Sequence, residues 1–360
     1  LTAWENAQKP LAVGLVGCGA ISGAHLPAYR MYPERVRLAA VCDTREDAAA
    51  KVAREFGLER HYTDLAEMLA EAPIDAVDIC LPHHLHYPAA LAALKVGKHV
   101  LVEKPFAVSM AECVELVETA QAKGLTLMVA QVQRYTPEYR NLKVLIDRGE
   151  LGAIHHARID GIQNLHDYAE PPHWLYHGET AGGGGIISVL VHKIDLLRYF
   201  LGEARRVTAL GKTADPAFRD AEDYAVALIE FENGALVDVF SCYSAAALPY
   251  SEMFWLFGEK AVVHTLPSEG EWSRSQPRIA YRSGTKSGRA FKDIVGGAGV
   301  DTLPTDQPFV NEILHFAECV TTGREPISSG RDNLGTMAVI FAIYESMRLG
   351  GQPVEVKRPR

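Results

Sequence analysis

Leu11-Ala-Val-Gly-Leu-Val-Gly-Cys-Gly-Ala-Ile-Ser22 is the stretch that decides the fold. An apolar run enters Gly17-Cys-Gly19 and a helical pattern follows; a strand that turns over glycines into a helix aims backbone amides at a phosphate. Gly17 permits the tight turn, and Gly19 lets the backbone approach a pyrophosphate. Ser22 stands at the third small-residue position of such a loop, with Gly23 next to it offsetting part of the added bulk. Asp43 ends the next apolar run, 24 residues after Gly19, where a carboxylate accepts hydrogen bonds from the adenosine ribose. A carboxylate there repels a 2′-phosphate, so NAD is expected over NADP. Arg45 keeps NADP open, because an arginine two residues on can bind that phosphate, stack on adenine or simply be a solvated charge.

From Leu11 to about Ala130, short apolar runs alternate with amphipathic segments, the pattern of right-handed βαβ units. Strands are expected at Leu11–Val16, Val36–Cys42, Ala76–Cys80, His99–Val102 and Thr126–Ala130. Helices are expected at Arg45–Phe56, His86–Val96 and Met110–Ala122, with Gly57, Gly97 and Gly124 at left-handed positions just past them. The rhythm changes after a helix over Pro137–Arg148. Asn233-Gly234 between the alternating runs Tyr224–Phe231 and Ala235–Ser244 predicts a hairpin. Further strands are expected at Ala153–Ile162, Arg206–Lys212, Ser251–Phe257 and Ala261–Leu266. Helices are expected at Ile186–Leu201, Val310–Thr321 and Asn333–Leu349, and irregular connections or an arm over Ser268–Asp306. The fold class is α/β: a doubly wound parallel sheet over residues 1–132, then a mainly antiparallel α+β domain over residues 133–360.

Glu103-Lys104-Pro105 follows the His99–Val102 run, which puts a lysine at the carboxyl edge of the sheet, where open α/β folds bind ligands. Leu81-Pro-His-His-Leu-His86 follows the Ala76–Cys80 run. Its histidines lack the Cys, Asp or Glu spacing of a metal site, so no metal is expected, and the segment reads as a loop lining the nicotinamide side. The expected cofactor contacts are Gly17, Gly19, Ala20, Ile21, Asp43, Thr44, Arg45, Leu81, Pro82, His86, Glu103, Lys104 and Gln133.

Composition narrows the partners. The 360 residues are 48% apolar, enough for two cores, and carry a formal net charge of −9, which argues against nucleic-acid binding. No run approaches the roughly 18 apolar residues of a membrane helix. Cys18, Cys42, Cys80, Cys113, Cys242 and Cys319 are scattered without ligand spacing, which suits reduced thiols in a cytoplasm.

Taken in order, the glycine loop, Asp43, Pro82-x-x-x-His86, Glu103-Lys104-Pro105, Gly183-Gly-Gly185 and His192-x-x-Asp195 resemble the glucose–fructose oxidoreductase, inositol dehydrogenase and MocA family. Phe231-Glu-Asn-Gly234, Gly258-Glu-Lys260, Gly323-Arg-Glu-Pro326 and Tyr344-Glu-Ser346 extend the resemblance over almost the whole chain. It implies a Rossmann domain followed by an open sheet used for oligomer contacts in a homodimer or homotetramer. The implied substrates are sugars, sugar nucleotides or cyclitols. Lys104 and His192 match the family's active-site lysine and histidine. The aspartate usual four residues before that histidine is Ser188 here, and the glycine usual two before it is Leu190. A serine cannot carry the aspartate's charge, so a carboxylate–histidine relay through this position is not implied.

For oxidation of a ring alcohol, His192 suits the general base and Lys104 the cation that stabilises the developing alkoxide. Asp195, at i+3 from His192, is expected to orient the ring or bind a substrate hydroxyl. Gln163–Gly185, with His166, Tyr168, His173, Trp174, Tyr176 and His177, reads either as a wall that stacks on a sugar or as a packed loop. Trp174, Tyr135, Ser188, His192, Asp195 and Lys104 are the expected substrate contacts, with Arg134 a brace. The expected function is NAD-dependent hydride transfer to or from a ring secondary alcohol of a sugar, glycoside or cyclitol. The alternatives are redox-neutral glycoside cleavage with NAD and a non-catalytic sensor of NAD or sugar.

Overall fold

The computed structural model describes residues 9–246, 251–265, 277–281, 292–293 and 303–359. In chain order the first elements are β1 (Leu11–Val16), α1 (Ser22–Met31), β2 (Val36–Cys42), α2 (Glu46–Phe56), α3 (Leu65–Glu71), β3 (Ala76–Ile79), α4 (His86–Lys95), β4 (His99–Glu103), α5 (Met110–Ala122) and β5 (Leu127–Ala130). There follow α6 (Pro137–Asp147), β6 (Ile154–Ile162), α7 (Gly178–Ala181), α8 (Val191–Leu201), β7 (Ala204–Lys212), β8 (Tyr224–Phe231) and β9 (Leu236–Cys242). The last are β10 (Ser251–Gly258), β11 (Ala261–Thr265), β12 (Pro277–Tyr281), β13 (Lys292–Asp293), α9 (Pro308–Thr322), α10 (Gly330–Arg348) and β14 (Val354–Glu355). They fall in two compact units, one within Leu1–Tyr135 and Pro304–Leu334, the other within Thr136–Leu303 and Gly335–Arg360.

In the first unit, five strands pair in the order β2-β1-β3-β4-β5, all parallel. The strand order reverses beside β1, so the carboxyl ends of β1 and β3 flank the crevice where doubly wound sheets take ligands. All of the strands are buried along most of their length, as a sheet covered on both faces requires. Gly57, Gly97 and Gly124 take the left-handed backbone that ends α2, α4 and α5. The helix α3 was not read from the sequence, although Asp64 caps it by accepting the Glu67 amide at 2.9 Å.

The expected break at residue 132 needs correction in two ways. The turn over residues 132–135 stays with the first unit, and residues 304–334 return to it. The reason is packing: Val310, Ile313, Leu314, Phe316 and Ala317 of α9 join the cluster of Leu15, Leu26, Tyr29, Met128 and Tyr135. Arg134 braces the first unit internally, with its guanidinium 2.5 Å from the Ile327 carbonyl and 2.7 Å from Asp332.

The second unit holds a nine-stranded sheet in the order β13-β12-β11-β10-β6-β9-β8-β7-β14, antiparallel except for β6 beside β9. The Asn233-Gly234 hairpin joins β8 to β9 as expected. Of the stretch expected to be irregular, Ser268–Asp306, most lies outside the described residues, but β12 and β13 are strands at the sheet edge. The expected single helix over Ile186–Leu201 is also corrected. Ile186–Leu190 is a π-helical turn, and α8 begins only at Val191. Buried Glu222 accounts for this entry by accepting the amides of Gly184 at 2.8 Å and Ile186 at 2.9 Å. Gly184 must lack a side chain, since a Cβ would come within 1.7 Å of the Glu222 carbonyl.

Candidate active site

The glycine loop is built against β3. Gly17 has φ +92°, and a Cβ on it would lie 2.3 Å from the Cys80 carbonyl, so no other residue fits. Its amide donates to the Cys42 carbonyl at 2.8 Å. Asp43 then ties the two strand ends together, accepting the Cys18 amide at 2.8 Å and the Arg45 amide at 2.8 Å. Ser22 is buried and donates to the Gly19 carbonyl at 2.7 Å, so the serine closes the loop from within. Around this frame Gly19, Ala20, Thr44 and Arg45 are exposed and Ile21 is half-buried, while a Cβ on Gly19 would meet nothing within 4 Å. Burial and then the Asp43 charge push the Cys18 thiol up to about 12, so it stays neutral beside the loop.

At β4 the expected residues divide. Lys104 is half-buried at the carboxyl edge, in a cis peptide with Pro105. Glu103 turns inward instead: it is buried, and its carboxylate accepts the Lys104 amide at 2.9 Å. His86 needs correction as a cofactor contact. It is fully buried, with its ring nitrogens 2.7 Å from the carbonyls of Pro105 and Leu81, so it fastens the loop after β3 to the turn after β4. Leu81 and Pro82 are half-buried on that loop, and Gln133 is half-buried after β5. Gln131 was not foreseen. It directly follows β5, is buried, and neither atom of its side-chain amide has a hydrogen-bond partner. Its position just after a strand at the carboxyl edge was the available signal. A cradle that only glycine fits, open space above Gly19, a carboxylate at Asp43 and an orphaned amide at Gln131 all fit a dinucleotide.

In the second unit, the π turn and α8 carry His192, half-buried, four residues after Ser188. Several expected substrate contacts prove to be interior groups. Asp195 is 1% exposed and accepts a 2.8 Å hydrogen bond from Thr336, which in turn accepts one from Arg198 at 2.9 Å. Ser188 is buried, with the Tyr243 phenol as a neighbour. Tyr135, in the first unit, is 1% exposed and shares a hydrogen bond with Ser328 at 2.9 Å, so its hydroxyl is committed to the core.

The aromatic segment is part packed and part exposed. Tyr176 is fully buried against Phe218 and Tyr243, and its hydroxyl donates to the Ala169 carbonyl at 2.7 Å. Trp174, His173 and His177 are half-buried, Tyr168 is exposed, and His166 lies 2.7 Å from Asp215. In the second unit Tyr168, Trp174, His166, His173, His177 and His192 are thus at least partly exposed, whereas Tyr176, Ser188 and Asp195 are buried.

Known proteins match this arrangement along its length. The family model described as an oxidoreductase family with an NAD-binding Rossmann fold covers residues 11–131, and that of the GFO/IDH/MocA C-terminal domain covers residues 139–264. A D-apiose dehydrogenase of Paraburkholderia graminis is 28% identical, over 99% of this chain and 92% of the relative. The scyllo-inositol 2-dehydrogenase (NAD(+)) of Bacillus subtilis is 28% identical, over 97% of each chain. Among solved structures, a levoglucosan dehydrogenase in complex with NADH and L-sorbose superposes with a TM-score of 0.88, at 26% identity over 98% of this chain and all of the other.

Proposed function

Since this chain belongs to the Gfo/Idh/MocA oxidoreductase family, we propose that it transfers a hydride between NAD and a ring secondary alcohol of a sugar, glycoside or cyclitol. One observation carries the reading. Gly17, Asp43 and Lys104 close β1, β2 and β4 at the same edge of one parallel sheet, so a nucleotide grip and a reactive cation share one face. Relatives acting on apiose, inositols and levoglucosan support the substrate class.

Bound NAD supplies the two-electron acceptor for the carbinol hydrogen. The chain must then hold the ring, take the hydroxyl proton and stabilise the alkoxide. We assign the proton to His192 and the alkoxide to Lys104, whose ammonium donates to the oxygen as its charge grows. The remaining cofactor contacts are assigned to Gly17, Gly19, Ala20, Ile21, Asp43, Thr44, Arg45, Leu81, Pro82 and Gln133. Trp174 supplies a face for the sugar ring.

Testing begins with a panel of sugars, cyclitols and glycosides, followed by NADH absorbance and repeated with NADP. NAD is expected to be preferred. Asp43→Asn, which keeps an acceptor but loses the charge, should raise the NADP-to-NAD ratio of kcat/KM about tenfold, as loss of a charge-assisted contact and its repulsion predicts. A wild-type preference for NADP, or an unchanged ratio in the variant, would contradict the assignment of Asp43.

We further propose that the protein works as a homodimer or homotetramer in the cytoplasm. Leu210, Val226, Leu228 and Leu236, on adjacent strands β7, β8 and β9, are 57, 53, 63 and 56% exposed, an apolar sheet face that association would cover. Light scattering should give a mass of two or four chains, and Val226→Glu with Leu228→Glu should reduce it to one. Free thiols at all six cysteines support the compartment, and among the described residues no helix is long and apolar enough to cross a membrane.

A further inference from the structure

Beneath Lys104 lies a group of titratable side chains that the reaction above does not use. His25, on α1 just after the glycine loop, is completely buried. Its Nδ1 lies 3.0 Å from Asp78 in the middle of β3, and its Nε2 lies 3.2 Å from Glu103 at the end of β4. Tyr29, one helical turn along α1, donates to the same Asp78 at 2.8 Å. Cys80 is 3.7 Å from the ring, and the side chain facing it from α9 is the neutral ring of Phe309, with centroids 5.5 Å apart. Asp78 and Glu103 are themselves buried.

Charges in an interior are costly, and apolar side chains of similar volume often stabilise a core as well or better. A buried histidine between two carboxylates therefore calls for a reason other than stability. Its placement supplies one. Glu103 has two oxygens: Oε1 meets His25 and Oε2 accepts the Lys104 amide at 2.9 Å. The imidazole fixes the carboxylate that fixes the backbone of Lys104.

We propose that His25 is a positioning residue for Lys104, bridging Asp78 to Glu103 so that the glycine-loop helix and the lysine turn are held as one piece. Both ring nitrogens face carboxylate oxygens, so both donate and the ring is an imidazolium. Burial opposes that charge, but the Asp78 carboxylate beside the ring outweighs it and holds His25 well above the usual histidine range. Cys80 contributes no charge, since burial and Asp78 push its thiol up to about 12. The Tyr29 phenol is likewise held neutral by burial and Asp78. Lys104 and Glu103 also act on His86, whose ring meets the Pro105 carbonyl on the far side of this turn.

The proposal rests on the assignment of Lys104 to the substrate oxygen, and its test separates the two. His25→Asn keeps a donor toward Asp78 but cannot reach Glu103, whereas His25→Gln reaches Glu103 and gives up Asp78. With the best substrate of the panel, His25→Asn should lose about ten- to a hundredfold in kcat, the cost of a misplaced reacting group, with the KM for NAD within about twofold of wild type. His25→Gln should recover kcat to within about threefold of wild type. Equal kcat in the two variants, or a loss of melting temperature with kcat unchanged in both, would overturn the proposal. So would a stoichiometric zinc ion in the purified protein that is lost in His25→Asn, because ligand atoms of His25, Asp78 and Cys80 lie within 4.8 Å of one another. If His25→Asn does not fold, Glu103→Gln, which leaves the His25–Asp78 pair intact, takes its place: a lowered kcat is expected, and a wild-type kcat overturns the proposal. Lys104→Ala measured alongside distinguishes the failures. If that variant retains turnover, the Lys104 assignment fails; if it is inactive while His25→Asn has wild-type kcat, only the role of His25 fails.

Discussion

Lys104→Ala is expected to lose roughly 10²–10³-fold in kcat, the effect of removing one donor from a developing oxyanion. The affinity for NAD should change little, because we assign the main nucleotide contacts to the glycine loop and Asp43. The physical argument is one of timing. The substrate hydroxyl is neutral in the ground state and gains charge only as its proton and hydride depart, so the ammonium interacts most strongly in the transition state. The loss should therefore appear in kcat and in kcat/KM together. Lys104→Arg keeps the charge but not the compact ammonium, and should recover activity only in part. Equilibrium binding of NAD by fluorescence, beside steady-state kinetics, reads both quantities. Full turnover in the alanine variant would remove Lys104 from the chemistry.

His192→Asn should cost roughly 10²–10⁴-fold in the oxidation rate, the usual contribution of a positioned general base. It carries a second signature. A base must be neutral to accept a proton, so wild-type oxidation should fall as the pH drops far enough to protonate it, while reduction should be favoured there. In His192→Asn that limb should disappear while the remaining activity becomes flat with pH over the same interval. If Lys104 and His192 act on one carbinol, the double variant should lose little beyond the worse single variant, since groups that act as a unit are not additive. A persistent acid limb in His192→Asn would assign the proton to another group.

The parallel sheet was almost fully legible. Its strands are short apolar runs, and α2, α4 and α5 between them end at glycines, a pattern that leaves little choice of period. A strand end and a spacing from Gly19 single out Asp43 in the sequence, and the structure puts it beside the glycine loop. The sites that were misjudged share a different cause. Tyr135, Asp195 and Ser188 are polar residues at suggestive positions in the chain, yet their surroundings are set by segments far away in sequence: Ser328, Thr336 and Tyr243. Sequence spacing reports neighbours along a helix or strand, not which buried partner closes on a hydroxyl. The return of α9 to the first unit was hidden for the same reason, since its apolar stripe fits either core. Asp78 went unnoticed inside an apolar run, and only the fold brings His25 and Glu103 to it. The π turn before His192 depends on Glu222, more than thirty residues later.

The absence of an acid at position 188 narrows the chemistry further. Position 188 is a buried serine, so no carboxylate from this position supports His192. With no acid at position 188, we propose that Lys104 carries the greater share of transition-state stabilisation.

The most direct test uses the best substrate from the panel, deuterated at its reacting carbon, with one equivalent of enzyme and excess NAD. Mass spectrometry of the nicotinamide and of the product should show one deuterium transferred to the cofactor for each ketone formed. Cleavage of a glycoside with no net reduced cofactor, or a ketone formed with its deuterium lost to water, would contradict hydride transfer to NAD as the reaction of this protein.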